Sequence, residues 1–121
     1  MKRIWIVTFL LMACADKKSE SPLTPQQFLE QYQSTPEAIL LDVRTVEEVA
    51  TGKIKSAKNI VYDETFAAKL DTLKHKPLFV YCGSGIRSAK ATKILRDKGY
   101  ENICELAGGI KAWKAVGLKV D

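Results

Sequence analysis

Leu78-Phe79-Val80-Tyr81-Cys82-Gly83-Ser84-Gly85-Ile86-Arg87-Ser88 joins a short apolar run to a glycine-bearing loop and then to a stretch of helical spacing. Leu78 to Tyr81 is aromatic and β-branched and reads as a buried strand. Ile86, Ala89, Thr92, Ile94 and Leu95 then recur at roughly helical spacing, and Gly99 stands where a helix ends. Cys82 is thereby placed at the end of a strand, in the loop that opens a helix. Unpaired N–H groups of a helix's first turn, with the positive end of its dipole, favour an anion, so the thiol is expected to be partly thiolate near neutral pH. Gly83 and Gly85 let further N–H groups curl toward one point, and Arg87 adds a permanent cation. The plainer reading, a small buried hydrophobe beside a turn, fits a lone cysteine but not this loop chemistry.

Working outward, Thr24-Pro25-Gln26-Gln27 is a helix start, and that helix runs through Phe28, Leu29 and Tyr32 and stops before Pro36. Ala38 to Arg44 is an apolar strand ending in charges, and its continuous hydrophobicity predicts cover on both faces. A short helix follows over Val46 to Ala50, closed by Gly52. Ala57 to Val61 is a weaker strand. Glu64 to Leu73 carries an amphipathic helix with Phe66, Ala67, Leu70 and Leu73 on one side. Beyond the central loop lie a strand over Asn102 to Leu106 and, after Gly108-Gly109, a last helix with Ile110, Trp113 and Val116 inward and Gly117 at its end. Alternating strands and helices predict an α/β fold with a largely parallel sheet. Ligands of such sheets sit at the carboxyl ends of the strands, where Asp42, Arg44 and Cys82 fall.

The length of 121 residues fits one domain, and the formal charge of +5 is spread along the chain, which is no nucleic-acid signature. A single histidine, His75, and scattered carboxylates offer no metal-ligand cluster, so neither a metal nor an organic cofactor is expected. At the other end, Lys2 and Arg3 precede the apolar stretch Ile4 to Met12, which has the length of a signal-peptide core and is too short to span a bilayer. Leu11-Met12-Ala13-Cys14 is similar to the lipobox of bacterial lipoproteins, which implies lipidation of Cys14; Ala13-Cys14-Ala15 also reads as an ordinary small-x-small cleavage site. The division expected is a leader over 1–13, a lipidated Cys14 with a polar tether over 14–22, and a domain over 23–121. Either reading predicts export, and the lipobox reading places the chain on the periplasmic face of a bacterial membrane, held by its lipid. Ala15 after the lipidated cysteine favours the outer membrane of a Gram-negative cell. In an oxidising compartment a Cys82–Cys104 disulfide is the default. Placing Cys104 inside a strand and Cys82 at a loop argues against it and makes Cys104 a core residue.

Leu41-Asp42-Val43-Arg44 with Glu48, Gly52, Ile54, Ala57 and Asn59-Ile60, then Tyr81 to Ser88, then Leu106-Ala107-Gly108-Gly109-Ile110 with Trp113, resembles a single-domain rhodanese over about Leu23 to Leu118. The resemblance implies a five-stranded parallel sheet flanked by helices on both faces, and a cysteine that carries sulfur as a persulfide. The family's Cys-x-x-Gly-x-Arg loop is met by Cys82, Gly85 and Arg87. Lys53 stands where the family often has His. Gly83 and Ser84 stand where members that use thiosulfate well often place a cation, which argues against efficient thiosulfate use.

The chemistry so implied is transfer of sulfane sulfur from a small sulfur-containing anion or a persulfide, through Cys82, to a thiophilic acceptor such as a protein thiol. Gly83, Ser84, Gly85, Ile86, Arg87 and Ser88 would form the substrate-binding loop. Asp42, Arg44 and Glu48 would support it, with Arg87 bracing the loop against Glu48 or Asp42. Two other readings stand beside this one. A cysteine phosphatase or arsenate reductase uses the same tools, but those enzymes resemble Cys-x5-Arg, whereas four residues separate Cys82 from Arg87 here. A rhodanese-like domain can also serve as a binding module without catalysis.

Overall fold

The computed structural model describes residues 21–121. The expected leader, the lipidation site Cys14 and most of the tether lie outside the described residues. Among the described residues four strands and four α-helices alternate: α1 (Pro25–Ser34), β1 (Ile39–Asp42), α2 (Val46–Ala50), β2 (Lys58–Asn59), a 3-10 helix (Phe66–Leu73), β3 (Leu78–Tyr81), α3 (Ile86–Asp97), β4 (Ile103–Glu105) and α4 (Gly109–Ala115). All strand pairs are parallel, in the order β2-β1-β3-β4. Each parallel step needs a crossover, which the helices supply.

The sheet has four strands rather than five. The remaining edge is reduced to one bridge, Leu23 beside Leu106, with Leu23 N–H donating to Glu105 O at 2.8 Å and Ala107 N–H to Leu23 O at 2.8 Å. Pro22 before it has no N–H to donate, and Thr24-Pro25 already begins α1, so pairing stops after one residue. Thr24 and Gln27 close the capping box the sequence predicts, at 3.1 and 3.2 Å. β2 is likewise two residues long, shorter than Ala57–Val61, and the segment before β3 is a 3-10 helix rather than an α-helix, though Phe66, Leu70 and Leu73 do face inward.

Residue alternation along the strands divides the core into two layers. Leu41, Val43, Leu78, Val80 and Cys82 pack with Phe66, Leu70, Leu73, Ala91 and Leu95 from the 3-10 helix and α3. Leu40, Phe79, Tyr81, Cys104 and Leu106 pack with Phe28, Ile110 and Trp113 from α1 and α4. Cys82 and Cys104 therefore lie in opposite layers, and Cys82 is a free thiol. Two expectations for the helices fail. In α3 the inward residues are Ser88, Ala91, Thr92 and Leu95, whereas Ile86 is 65% exposed. In α4, Val116 is 59% exposed, because the helix ends at Ala115 and turns at Gly117. Among the described residues no helix is long and apolar enough to cross a membrane.

Candidate active site

The register Asp42↔Tyr81 ends β1 and β3 at the same level, so Val43-Arg44 and Cys82-Gly83 leave the sheet side by side. Val43 N–H still donates to Tyr81 O at 3.0 Å. From there the chain turns through Gly85, whose φ of +110° suits glycine, and enters α3. That turn brings the Gly85 N–H to 3.0 Å and the Ser88 N–H to 3.3 Å from Cys82 Sγ. Ser88 Oγ lies 3.5 Å from the same sulfur, as acceptor of the thiol proton, and donates to Gly85 O at 3.2 Å.

Cys82 is fully buried. Burial alone pushes its thiol up; the hydrogen bond it shares with the Ser88 side chain and those from the N–H groups of Ser88, Gly85 and Ser84 outweigh burial and hold the thiol below its ordinary value. The sulfur is thus out of water yet ringed by donors, an arrangement that holds an anion on Sγ or on an atom attached to it.

Arg87 does not point into this ring as a free cation. Its Nη1 and Nη2 donate to Glu48 Oε1 and Oε2 at 2.7 and 2.9 Å, a bidentate pair between α3 and α2. Glu48 also accepts from Thr45 N–H at 2.9 Å and caps α2 with Thr45. The Arg87 guanidinium, first, and the Thr45 groups hold the Glu48 carboxyl down to about 2, against a smaller opposing push from burial. Gly83 lies against this pair: a Cβ there would meet Arg87 Nη2 at 3.1 Å.

Both side chains of the pair are about a third exposed, 34% for Arg87 and 38% for Glu48. Screened by water, the pair is worth on the order of 1 kcal/mol. Because the Glu48 carboxyl is lower in the folded chain than the ordinary ~4.3, this stability is present above that value and is lost as pH falls through about 2. Denaturant titrations of the wild type and Glu48→Gln are expected to differ by that amount at neutral pH and to converge near pH 2. Equal stabilities at neutral pH would contradict a bracing role.

Asp42 and Arg44 form a second, buried pair behind the first. Arg44 donates to Asp42 through Nε at 3.0 and 3.2 Å, through Nη2 at 2.7 Å and through its backbone N–H at 3.0 Å. It reaches on to Gly52 O at 2.8 Å and Glu48 O at 3.4 Å, tying the end of α2 to β1. Its guanidinium carbon sits 5.7 Å from the centre of the Tyr81 ring, whose hydroxyl accepts from Ile54 N–H at 3.1 Å. Burial, chiefly, raises the Tyr81 phenol far above its ordinary value, so it stays neutral. The two ion pairs run in series from β1 through α2 to the Cys82 loop.

The structure therefore gathers the predicted residues into one region, with Ile86 at its rim and Asp42 and Arg44 away from the sulfur. His75 is exposed and stacks on Tyr100 at 4.4 Å. Among the described residues no group of three or more His, Cys, Asp or Glu is placed to hold a metal ion. Sequence reasoning gave Gly108-Gly109 no role at the site. In the structure this turn abuts the loop, with Ile110 N–H donating to Cys82 O at 2.9 Å and Lys111 N–H to Gly83 O at 3.1 Å.

Fold and loop together define an α/β domain with a cysteine ringed by N–H groups at the carboxyl end of a central parallel strand. The chain belongs to the rhodanese family: the model of the rhodanese-like domain matches residues 24–116. A rhodanese-related protein from Thermoplasma volcanium is 30% identical, with 84% of this chain and 98% of that chain covered and a TM-score of 0.74. A protein of unknown function from Rhodopseudomonas palustris, described as a possible tyrosine phosphatase, is 24% identical over 83% of each chain, with a TM-score of 0.68. A thiosulfate sulfurtransferase from Pseudomonas aeruginosa shares the fold at 20% identity and a TM-score of 0.72; 88% of this chain covers 20% of that one.

Proposed function

We propose that the protein is a sulfurtransferase working through a Cys82 persulfide. The observation that carries this is the ring of N–H groups from Gly85 and Ser88 around a free, pKa-lowered sulfur. In the first half-reaction the Cys82 thiolate attacks the sulfane sulfur of a donor. A bond forms from Sγ to that sulfur, and the bond to the leaving group breaks, its electron pair departing with sulfite or a thiolate. In the second, a thiophilic acceptor attacks the outer sulfur and Cys82 leaves as thiolate. Neither step needs a general base, since loop electrostatics supply the thiolate. An outer persulfide sulfur would lie roughly 2 Å beyond Sγ, where the loop N–H groups can hold its charge.

Donors in view are thiosulfate, polysulfides and persulfides; acceptors are small thiols or a protein thiol. With Arg87 engaged by Glu48 and neutral Gly83 and Ser84 in the loop, a persulfide suits this site better than the thiosulfate dianion. The same engagement weighs against phosphatase chemistry, which would need that cation for a phosphate. Initial rates with a persulfide donor and with thiosulfate, each against varied cyanide, test the proposal. Parallel double-reciprocal lines, with the higher kcat/KM for the persulfide, are expected. Hydrolysis of an aryl phosphate with no thiocyanate formed would sink it in favour of the phosphatase.

We also infer from residues 1–22 that the chain is exported and held at a membrane by lipid on Cys14. Labelled palmitate is expected to enter the wild type and not Cys14→Ser. A wild type that takes up no label would refute the anchor.

A further inference from the structure

We propose that the Gly108-Gly109 turn is a positioning element for Cys82, holding the loop's peptide groups so that their N–H bonds face the sulfur. The role rests on Cys82 being the reactive thiol. The turn acts on the carbonyl side of the loop: Ile110 N–H holds Cys82 O at 2.9 Å and Lys111 N–H holds Gly83 O at 3.1 Å. In a trans peptide the C=O and N–H point in opposite directions. Anchoring the Gly83 carbonyl on Lys111 therefore aims the Ser84 N–H away from α4, toward the sulfur. The Ser84 N–H is among the groups that hold the Cys82 thiol down.

Closeness is what requires glycine. A Cβ on Gly109 would lie 2.6 Å from Cys82 O and closer still to Gly83 O, both backbone atoms of the loop. Gly108 and Gly109 also carry φ of +73° and +64°, which lets the chain turn at this distance. The two segments touch again at Gly85, where a Cβ would lie 3.7 Å from Gly108 N. An added methyl at 109 must therefore push the loop off the sulfur. The charged group that faces Cys82 is Arg87 of α3, itself paired with Glu48 of α2.

The test compares Gly109→Ala and Lys111→Pro with Gly117→Ala in the full chain. Proline at 111 removes the N–H that reaches Gly83 O and sets its ring Cδ against that oxygen, so it releases the same carbonyl without touching the turn itself. Gly117 has a φ of +87° and nothing within 4 Å of a Cβ, so its alanine variant carries backbone strain without a loop contact. Thiolate absorbance is followed against pH, with Cys82→Ser subtracted as background, and unfolding is measured for each variant. Gly109→Ala is expected to raise the Cys82 pKa by about one unit, with roughly tenfold slower alkylation at neutral pH. Lys111→Pro should shift it the same way by less, and Gly117→Ala should leave it where it is. Folded Gly109→Ala and Lys111→Pro proteins with the wild-type pKa would overturn the proposal. If Gly109→Ala does not fold, Lys111→Pro decides: an upward shift supports the role, and none refutes it. A wild type that titrates low but carries no sulfur removes the sulfurtransferase reading and leaves this positioning role intact.

Discussion

A Cys82→Ser protein is expected to fold and to transfer no sulfur, a loss on the order of 10⁴-fold or more. The fold should survive because the serine oxygen fills nearly the same space and can accept from the Gly85 and Ser88 N–H groups that now meet Sγ. A change of about 1 kcal/mol in stability is expected, ordinary for a single substitution. The reaction should not survive because a serine hydroxyl is barely ionised at neutral pH, and the ring of donors that lowers a thiol cannot bring an alcohol into range. In the wild type, the rate of persulfide formation should rise with pH and level off below the ordinary thiol value of ~8.5, reflecting the lowered Cys82 pKa. Below the folded pKa the rate should fall tenfold per pH unit as the thiolate is protonated. Transfer that persists in Cys82→Ser would place the nucleophile elsewhere.

The largest effect on stability is expected at Asp42. In Asp42→Ala the guanidinium of Arg44, a residue only 4% exposed, loses its carboxylate and keeps only the Gly52 and Glu48 carbonyls. Leaving a buried charge unpaired costs about 3–5 kcal/mol. That is a large part of the roughly 5–15 kcal/mol by which domains of this kind are stable. Urea unfolding should therefore show a much lower midpoint at an unchanged slope. An apolar double replacement, Asp42→Leu with Arg44→Met, should be less damaging than Asp42→Ala alone, because no buried charge is left without a partner. A cost below about 1 kcal/mol for Asp42→Ala would contradict this view of the pair.

The core of the site was legible because it is local. Strand, glycine turn and helix follow one another within Leu78 to Ser88, so the placement of Cys82 needs no distant contact. The brace was only half legible. Sequence offered Arg87 two carboxylates, and nothing local decides between Glu48, 39 residues away, and Asp42; the structure pairs Arg87 with Glu48 because Arg44 already occupies Asp42. Hydrophobicity misled in α3, where small residues, Ser88 and Ala91, let the helix lie close to the sheet while the more apolar Ile86 stays outside. The fifth strand failed for a chemical reason, the prolines on either side of Leu23. Gly108-Gly109 read as a simple helix start, since a contact between carbonyls of one loop and amides of another leaves no mark in side-chain pattern.

The most direct measurement is the intact mass of the protein before and after a persulfide donor, with a cyanide chase and Cys82→Ser in parallel. A gain of one sulfur in the wild type alone, mapped to Cys82 and removed by cyanide as thiocyanate, is the expected result. No gain with persulfide, polysulfide or thiosulfate, or a gain that Cys82→Ser shares, would contradict the sulfurtransferase mechanism.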